Sequence, residues 1–348
     1  MTINNYKINR EELFNPESPI CNIDLDYAII DNQLKHLKDM LLIRYAEEKI
    51  ANEILAGNVN CPCHLGIGQE AIAVGVSAFL RKSDSVFGAH RSHSHFLALN
   101  NNPYSLFAEV LGRIDGCSHG MGGSMHLIDI EHGFYGSVPI VGATIPIAVG
   151  AGFAHKFDKS NNISVTYFGD GATEEGVFHE SLNLAKVNQL PVLFICENNL
   201  FASHLHILER QPTNSTIRYA EAHNVESLIV DGNDIAAVYN ATKIATNHIR
   251  SGNGPFFIEY VTYRWKGHVG PSDDNDVGLL RSEDLEIWKK RDPIKRLIDS
   301  LKSQKTILIS ELEIIDNEVK NFIEISWDRA KLSKYPSKEF LYNNTYSN

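Results

Sequence analysis

The sequence predicts an α/β protein with a central, mostly parallel sheet carrying helices on both faces. Two observations predict it. Strand-like and helix-like segments alternate through the second half of the chain, the pattern of strands joined by crossover helices and covered on both faces. The chain is also long enough, at 348 residues with 43% apolar and 22% charged, to bury a large core of ordinary globular composition.

Taken in order, residues 1–26 read as an extended arm. Residues 27–56 read as one long helix, with Leu34, Leu37, Met40, Leu41 and Ile43 at helical spacing among charges. From 61 to 142 Gly and His are frequent and turn signals recur, so this stretch reads as ligand-carrying loops. A small-residue helix is expected at 145–156, where Ala148, Gly150, Ala151, Gly152 and Ala154 permit close packing. A strand at 163–168, a helix at 174–187 and a strand at 191–197 follow, then a strand at 227–230, a helix at 235–251 and a strand at 255–262. The polar stretch 264–281 reads as a surface loop, and 282 to the late 320s as two amphipathic helices before a polar tail. The expected organisation is therefore an arm (1–26), an α/β domain (27–281) and a C-terminal helical segment with its tail (282–348).

Composition excludes several function classes. Lys and Arg total 32 against 43 Asp and Glu, a formal charge of -11, so neither nucleic acid nor an anionic membrane is an expected partner. The most apolar stretch, 140–154, is broken by Pro146 and glycines and falls short of the roughly 20 residues that span a bilayer. Five cysteines are an odd and sparse set, so a disulfide framework is not expected and a reducing cytoplasm is. The first 21 residues show neither an apolar signal core nor the Arg-rich, acid-poor character of a transit peptide.

The sharpest chemical signal is Gly169-Asp170-Gly171 directly after one predicted strand, with Asn198-Asn199 directly after the next. Alone, such a triplet is an ordinary turn. With an Asn pair at the matching strand end, both lie on the carboxyl edge of a parallel sheet, where ligands bind. The following helix offers its amides to an anion. Asp170 would repel a bare diphosphate, and Asp170 with the Asn199 amide oxygen are hard ligands suited to magnesium, so a metal-bridged diphosphate is the expectation. The Gly-Lys-Ser/Thr of a P-loop is absent, and Gly169, Gly171 and Gly176 miss the dinucleotide spacing. Histidines crowd the region near Cys61 and Cys63, but Cys-Pro-Cys is a poor zinc spacing.

Six motifs then occur in order: His64-Leu65-Gly66-Ile67-Gly68-Gln69-Glu70-Ala71; Arg91-Ser92-His93; Gly122-Gly123-Ser124-Met125-His126; Ile140-Val141-Gly142-Ala143; the Gly169-Asp170-Gly171 to Asn199 pair; and Tyr263-Arg264 leading to Gly267-His268. In these the chain resembles the alpha subunits of the thiamine-diphosphate-dependent decarboxylating component of 2-oxoacid dehydrogenase complexes, nearest the pyruvate and acetoin members. The resemblance implies the thiamine-diphosphate-binding fold. It implies Asp170, Asn199 and the Phe201 carbonyl as magnesium ligands, with Gly171 and Ala172 amides and Arg91 near the diphosphate, a role the arginine fork suits. His90 also falls at the cofactor, and the backbone at Pro139 and Val141 meets the aminopyrimidine. His64 is similar to the histidine near the 2-oxoacid, and His268 to the loop histidine that lies near the cofactor and assists acyl transfer. His93 and Ser124 match motif positions without an assigned role.

The chain departs from that family at His90, where a tyrosine is usual, and at Pro139, where a glycine is usual. Val269 stands where animal pyruvate enzymes carry a phosphorylated serine, and 269–280, with Asp273, Asp274 and Asp276, is longer than usual. The glutamate that activates the aminopyrimidine resides on a separate beta subunit in the family, so an α2β2 heterotetramer is implied, together with a lipoyl-bearing acyltransferase as acyl acceptor. The expected activity is that of a pyruvate dehydrogenase (acetyl-transferring) alpha subunit. The alternatives are an acetoin dehydrogenase alpha subunit, a thiamine-diphosphate-dependent carboligase or lyase of a biosynthetic pathway, and a non-catalytic scaffold subunit.

Overall fold

A computed structural model describes residues 10–274 and 281–343, without the side chains of Ser282 and Glu283. Part of the predicted arm (1–9), the loop segment containing Asp276 (275–280) and the end of the tail (344–348) lie outside the described residues.

A short helix α1 (Arg10–Phe14) precedes the long helix α2 (Ile30–Leu55). Helix α3 (Glu70–Ser77), strand β1 (Ser85–Gly88), helices α4 (His93–Asn100) and α5 (Pro103–Val110) and strand β2 (Phe134–Ser137) follow. Then come α6 (Thr144–Phe157), β3 (Ser164–Gly169), α7 (Gly176–Val187) and β4 (Val192–Asn198). A two-residue hairpin pair, β5 (Phe201–Ala202) and β6 (Leu205–His206), leads to the short helices α8 (Ile207–Arg210) and α9 (Ile217–Ala222). Strand β7 (Glu226–Asp231), α10 (Ile235–Arg250) and β8 (Phe256–Val261) complete the sheet, and α11 (Ser282–Trp288), α12 (Pro293–Ser303), α13 (Ile309–Leu332) and α14 (Lys338–Asn343) close the chain.

The main sheet has six strands in the order β2-β1-β3-β4-β8-β7, every pair parallel. Successive residues of β4 enter different cores: Leu193 and Ile195 join the one built with α2, α3 and α10, whereas Val192, Phe194 and Cys196 join the one built with α6 and α7. Both faces of the sheet are thus helix-covered, as the alternation of elements predicts. None of the helices among the described residues is long and apolar enough to cross a membrane.

Three readings are corrected. The stretch 61–142 is not loop throughout, for it holds α3, α4, α5, β1 and β2; its strands are only four residues each, too short to show a periodicity among so many turn residues. The stretch 264–281 is not simply a surface loop. Arg264, Asp274 and Arg281 are buried, because Arg264 pairs with Asp274 at 3.2 Å and Arg281 donates to the Arg264 carbonyl at 2.6 Å. The C-terminal segment carries α11 to α14 rather than two helices, broken where Asp292 caps Pro293 at the start of α12 and again before α13. Helix α13 packs on α2 and α5 and buries Trp327 in the main core.

Candidate active site

Because the strands are parallel, the loops leaving β1, β2, β3, β4 and β8 converge on one edge. A cavity of about 340 Å³ opens there. His64, His90, Arg91, Pro139, Val141, Asp170, Gly171, Ala172, Asn199, Phe201 and His268 all line it. Every candidate given a role in the sequence therefore reaches one place, although the chain separates the first from the last by about two hundred residues.

The Asp170 carboxylate is 1% exposed and sits in a 3-10 turn, Asp170–Glu174, that intervenes before α7. The helix expected at 174 thus starts at Gly176, and the amides nearest Asp170 belong to the turn. Its Oδ2 is paired with Arg210, which also reaches Glu174, while its Oδ1 is buried without a hydrogen-bond partner. Burial pushes the Asp170 carboxyl above the usual range and Arg210 opposes that shift. Gly171 has no room for a side chain, since a Cβ would stand 2.8 Å from that of Ala202.

At the end of β4, Asn198 Oδ1 accepts from Leu200 N at 3.1 Å and Asn199 Oδ1 from Phe201 N at 3.2 Å. These two turns hold Leu200 at φ +72°, a left-handed conformation that a bulky side chain resists. Asn198 is held in turn by the buried Glu259, whose oxygen accepts from its Nδ2 at 2.7 Å. Gln69 Oε1 accepts from Asn199 Nδ2 at 3.3 Å, tying the His64 segment to this strand end.

The His64 segment is itself fixed from below. Arg44 of α2 donates to both Glu70 oxygens at 2.6 and 3.0 Å, and Glu47 accepts from Gly66 N at 2.8 Å. Gly68, at φ +98°, lies flat against Trp265, which a Cβ would meet at 2.5 Å. Arg91 donates to the carbonyls of Leu65 at 2.5 Å and His268 at 3.2 Å, joining the two histidine-bearing segments.

The rings of His64, His90 and His268 form a cluster with centroids 4.8, 5.0 and 5.5 Å apart. Burial, and then the Arg91 charge, lower their pKa values to about 3 for His64, about 2 for His90 and about 4 for His268. All three are neutral near pH 7. Arg264 Nη1 lies 3.3 Å from His268 Nδ1; a guanidinium only donates, so the His268 proton resides on Nε2. His64 Nδ1 has no partner. Arg91 and Arg264 are both buried here, which makes this end of the cavity suited to an anion.

Several lining or supporting groups were not singled out in the sequence. His95 stacks on Tyr167 with centroids 3.8 Å apart and donates to Glu197 at 3.0 Å. Glu175, Thr144 and Met125 also line the cavity. Arg210 reaches Asp170 from forty residues away, a pairing without a local signal. His93 and Ser124, the two motif positions without an assigned role, are joined at 2.8 Å, with Glu47 3.3 Å from the other His93 nitrogen, all buried. Among the described residues there is no group of three or more His, Cys, Asp or Glu side chains placed to hold a metal. Asp170 with amide and carbonyl oxygens falls outside such groupings.

Comparison with known proteins agrees with this architecture. Residues 38–339 match the family model described as Dehydrogenase E1 component. The pyruvate dehydrogenase E1 component subunit alpha of Rickettsia prowazekii (strain Madrid E) is 34% identical over 319 residues, 91% of this chain and 97% of that protein. The Rhizobium meliloti (strain 1021) protein of the same name is 37% identical over 315 residues, 90% of this chain and 89% of that one. A mitochondrial counterpart from Solanum tuberosum is 35% identical over 329 residues, 93% of this chain and 83% of the other. The resemblance carried by the motifs from His64 to His268 is thereby borne out: the chain belongs to the dehydrogenase E1 component family.

Proposed function

We propose that the chain is the alpha subunit of a thiamine-diphosphate-dependent 2-oxoacid dehydrogenase that decarboxylates pyruvate and passes the acetyl group to lipoyl-lysine on an acyltransferase. The observation that carries this reading is the buried, partnerless Asp170 Oδ1 beside Asn199 in the strand-edge cavity. Arg210 meets only the other oxygen, and an orphaned carboxylate oxygen in such a place costs free energy until a hydrogen-bond donor or a cation meets it.

The donor set fits the cofactor. Asp170, Asn199 and the Phe201 carbonyl would hold Mg²⁺ through hard oxygens. The Gly171 and Ala172 amides, Arg91 and His90 would meet the diphosphate, and the backbone at Pro139 and Val141 the aminopyrimidine. Thiamine diphosphate, when bound, supplies the electron sink that decarboxylation of a 2-oxoacid needs. The chain supplies position and protons. His64, neutral and buried, would hold the 2-oxoacid side of the cavity, and His268 keeps a donatable proton on Nε2 for acyl transfer.

A beta-type partner in an α2β2 assembly is part of this proposal. Ile147, Phe153 and Phe157 of α6 and Leu184 and Val187 of α7 are exposed on two helices that pack together, and the mouth residues Ile140 and Val141 are exposed as well. Large apolar side chains exposed along two packed helices are the kind of surface that a partner covers. The free cysteines fit a reducing, cytoplasmic setting.

The test is co-expression with the beta-type gene nearest this one, followed by assays with pyruvate, branched 2-oxoacids and acetoin, using a dye acceptor and a lipoyl domain in parallel. Thiamine-diphosphate-dependent turnover of pyruvate in both assays is expected. Dye reduction without lipoyl transfer would replace the dehydrogenase reading by a carboligase or lyase, which the unusual cavity residues His90 and Pro139 would suit. An inert assembly would refute the enzyme altogether.

A further inference from the structure

We propose that Cys61 and Cys63 are a dithiol–disulfide site whose oxidation displaces the His64 and His268 segments and switches the enzyme off. Their Sγ atoms lie 3.7 Å apart across a single proline, and closing to the roughly 2.05 Å of a disulfide is a short movement. Pro62 restricts the backbone between them, so the two sulfurs stay near each other in the reduced protein.

The two thiols are unequally placed. Cys61 is partly exposed and Cys63 buried. Cys61 Sγ lies 3.5 Å from the Val110 carbonyl and Cys63 Sγ 3.5 Å from the Cys61 carbonyl. The Cys63 thiol, followed by the Ser124 backbone and His93, lowers the pKa of Cys61 against the opposing effect of burial, while Cys61 and burial raise that of Cys63. The accessible sulfur is therefore the better nucleophile and the inner one the natural resolving thiol. The remaining cysteines, Cys21, Cys117 and Cys196, do not share this arrangement.

With a peroxide as oxidant the chemistry balances. The Cys61 thiolate attacks one peroxide oxygen, the O–O bond breaks, and the departing hydroxide leaves as water with the proton released by the thiol. Cys63 sulfur then displaces the hydroxyl from the Cys61 sulfenic acid: the S–S bond forms, the S–O bond breaks, and a second water carries off the Cys63 proton. Two electrons pass from the thiols to the peroxide.

The link to the cavity is through the backbone. Residue 64, next after Cys63, is the cavity histidine, and the Cys63 carbonyl accepts from Gly270 N at 2.8 Å, two residues beyond His268. A rotation of Cys63 that brings its sulfur onto Cys61 pulls on both histidine-bearing segments together.

The test treats the full-length chain, assembled with its partner, with hydrogen peroxide, blocks free thiols and maps the peptides. The expected result is a peptide containing both Cys61 and Cys63 that has lost two hydrogen atoms, together with loss of turnover that dithiothreitol restores. Cys61→Ser and Cys63→Ser, near-isosteric changes, should each keep their initial turnover and resist peroxide. Oxidation found first at Cys21 or Cys117, a disulfide that leaves turnover intact, or equal sensitivity of the serine variants would each overturn the proposal. The peptide map is read without reference to substrate, so a wrong assignment of the 2-oxoacid and a wrong assignment of the dithiol remain distinguishable.

Discussion

Replacing Glu259 by Gln should destabilise the protein by about 2–4 kcal/mol, although the two side chains have the same shape. Glu259 is fully buried on β8. One oxygen accepts from Asn198 Nδ2 at 2.7 Å and Thr216 N at 2.9 Å, and the other from Ser215 Oγ at 2.7 Å and Ile217 N at 2.9 Å. A glutamine must present its NH₂ to one of these pairs. Facing Thr216 and Asn198 it meets two donors. Facing Ser215 and Ile217 it meets a hydroxyl that can turn to accept and a backbone N–H that cannot. At least one buried N–H therefore loses its partner, at about 1–3 kcal/mol. The surviving bonds lose their charge assistance, which roughly halves them. Burial raises the Glu259 pKa, so the neutral amide recovers some desolvation and keeps the total near the lower part of the sum. Urea unfolding of the full chain, compared at constant m, reads this as a shift in midpoint. A change under about 1 kcal/mol would refute the accounting. The same variant loosens Asn198, and with it the turn that carries Asn199, so cofactor affinity should fall in parallel.

Asp170→Ala should weaken magnesium-dependent thiamine diphosphate binding in the assembled enzyme by about a hundredfold or more, as loss of a buried charge partner implies; unchanged affinity by calorimetry would sink the ligand assignment. His268→Ala should slow acyl transfer to a lipoyl domain about tenfold or more beyond any effect on dye-coupled decarboxylation, and equal losses in the two assays would count against the role. The cofactor-free chain should lose stability in acid. Unfolded histidines take up protons near pH 6.5, whereas His268 and His64 in the fold wait until about 4 and about 3 because burial disfavours their charged forms. Stability is thus fully present above about pH 6.5 and falls as pH drops toward 4, by about 1.4 kcal/mol per pH unit for each histidine. A urea midpoint constant from pH 7 to pH 5, or the His64 and His268 ring resonances titrating near 6.5 in the folded chain, would contradict this.

Motif resemblance brought His64, His90, Arg91, Pro139, Val141 and His268 to the cavity, whereas the sequence by itself determined the α/β class, the strands that became β3, β4, β7 and β8, and the two polar strand ends on the cavity edge. Each of these is written locally: an apolar run has a period, a crossover helix has a length, and Gly169-Asp170-Gly171 and Asn198-Asn199 occupy equivalent strand ends. Only the tertiary structure decided what holds those residues in place. Arg210 finds Asp170, Glu259 finds Asn198, His95 finds Glu197, and Arg264 and Asp274 leave the surface together. A charged residue reads as solvent-exposed until its partner is known, and here the partners come from other elements of the fold. The short strands β1 and β2 escape notice for a related reason: at four residues each they are ordered by pairing with neighbours in the sheet, an energy that no local pattern records.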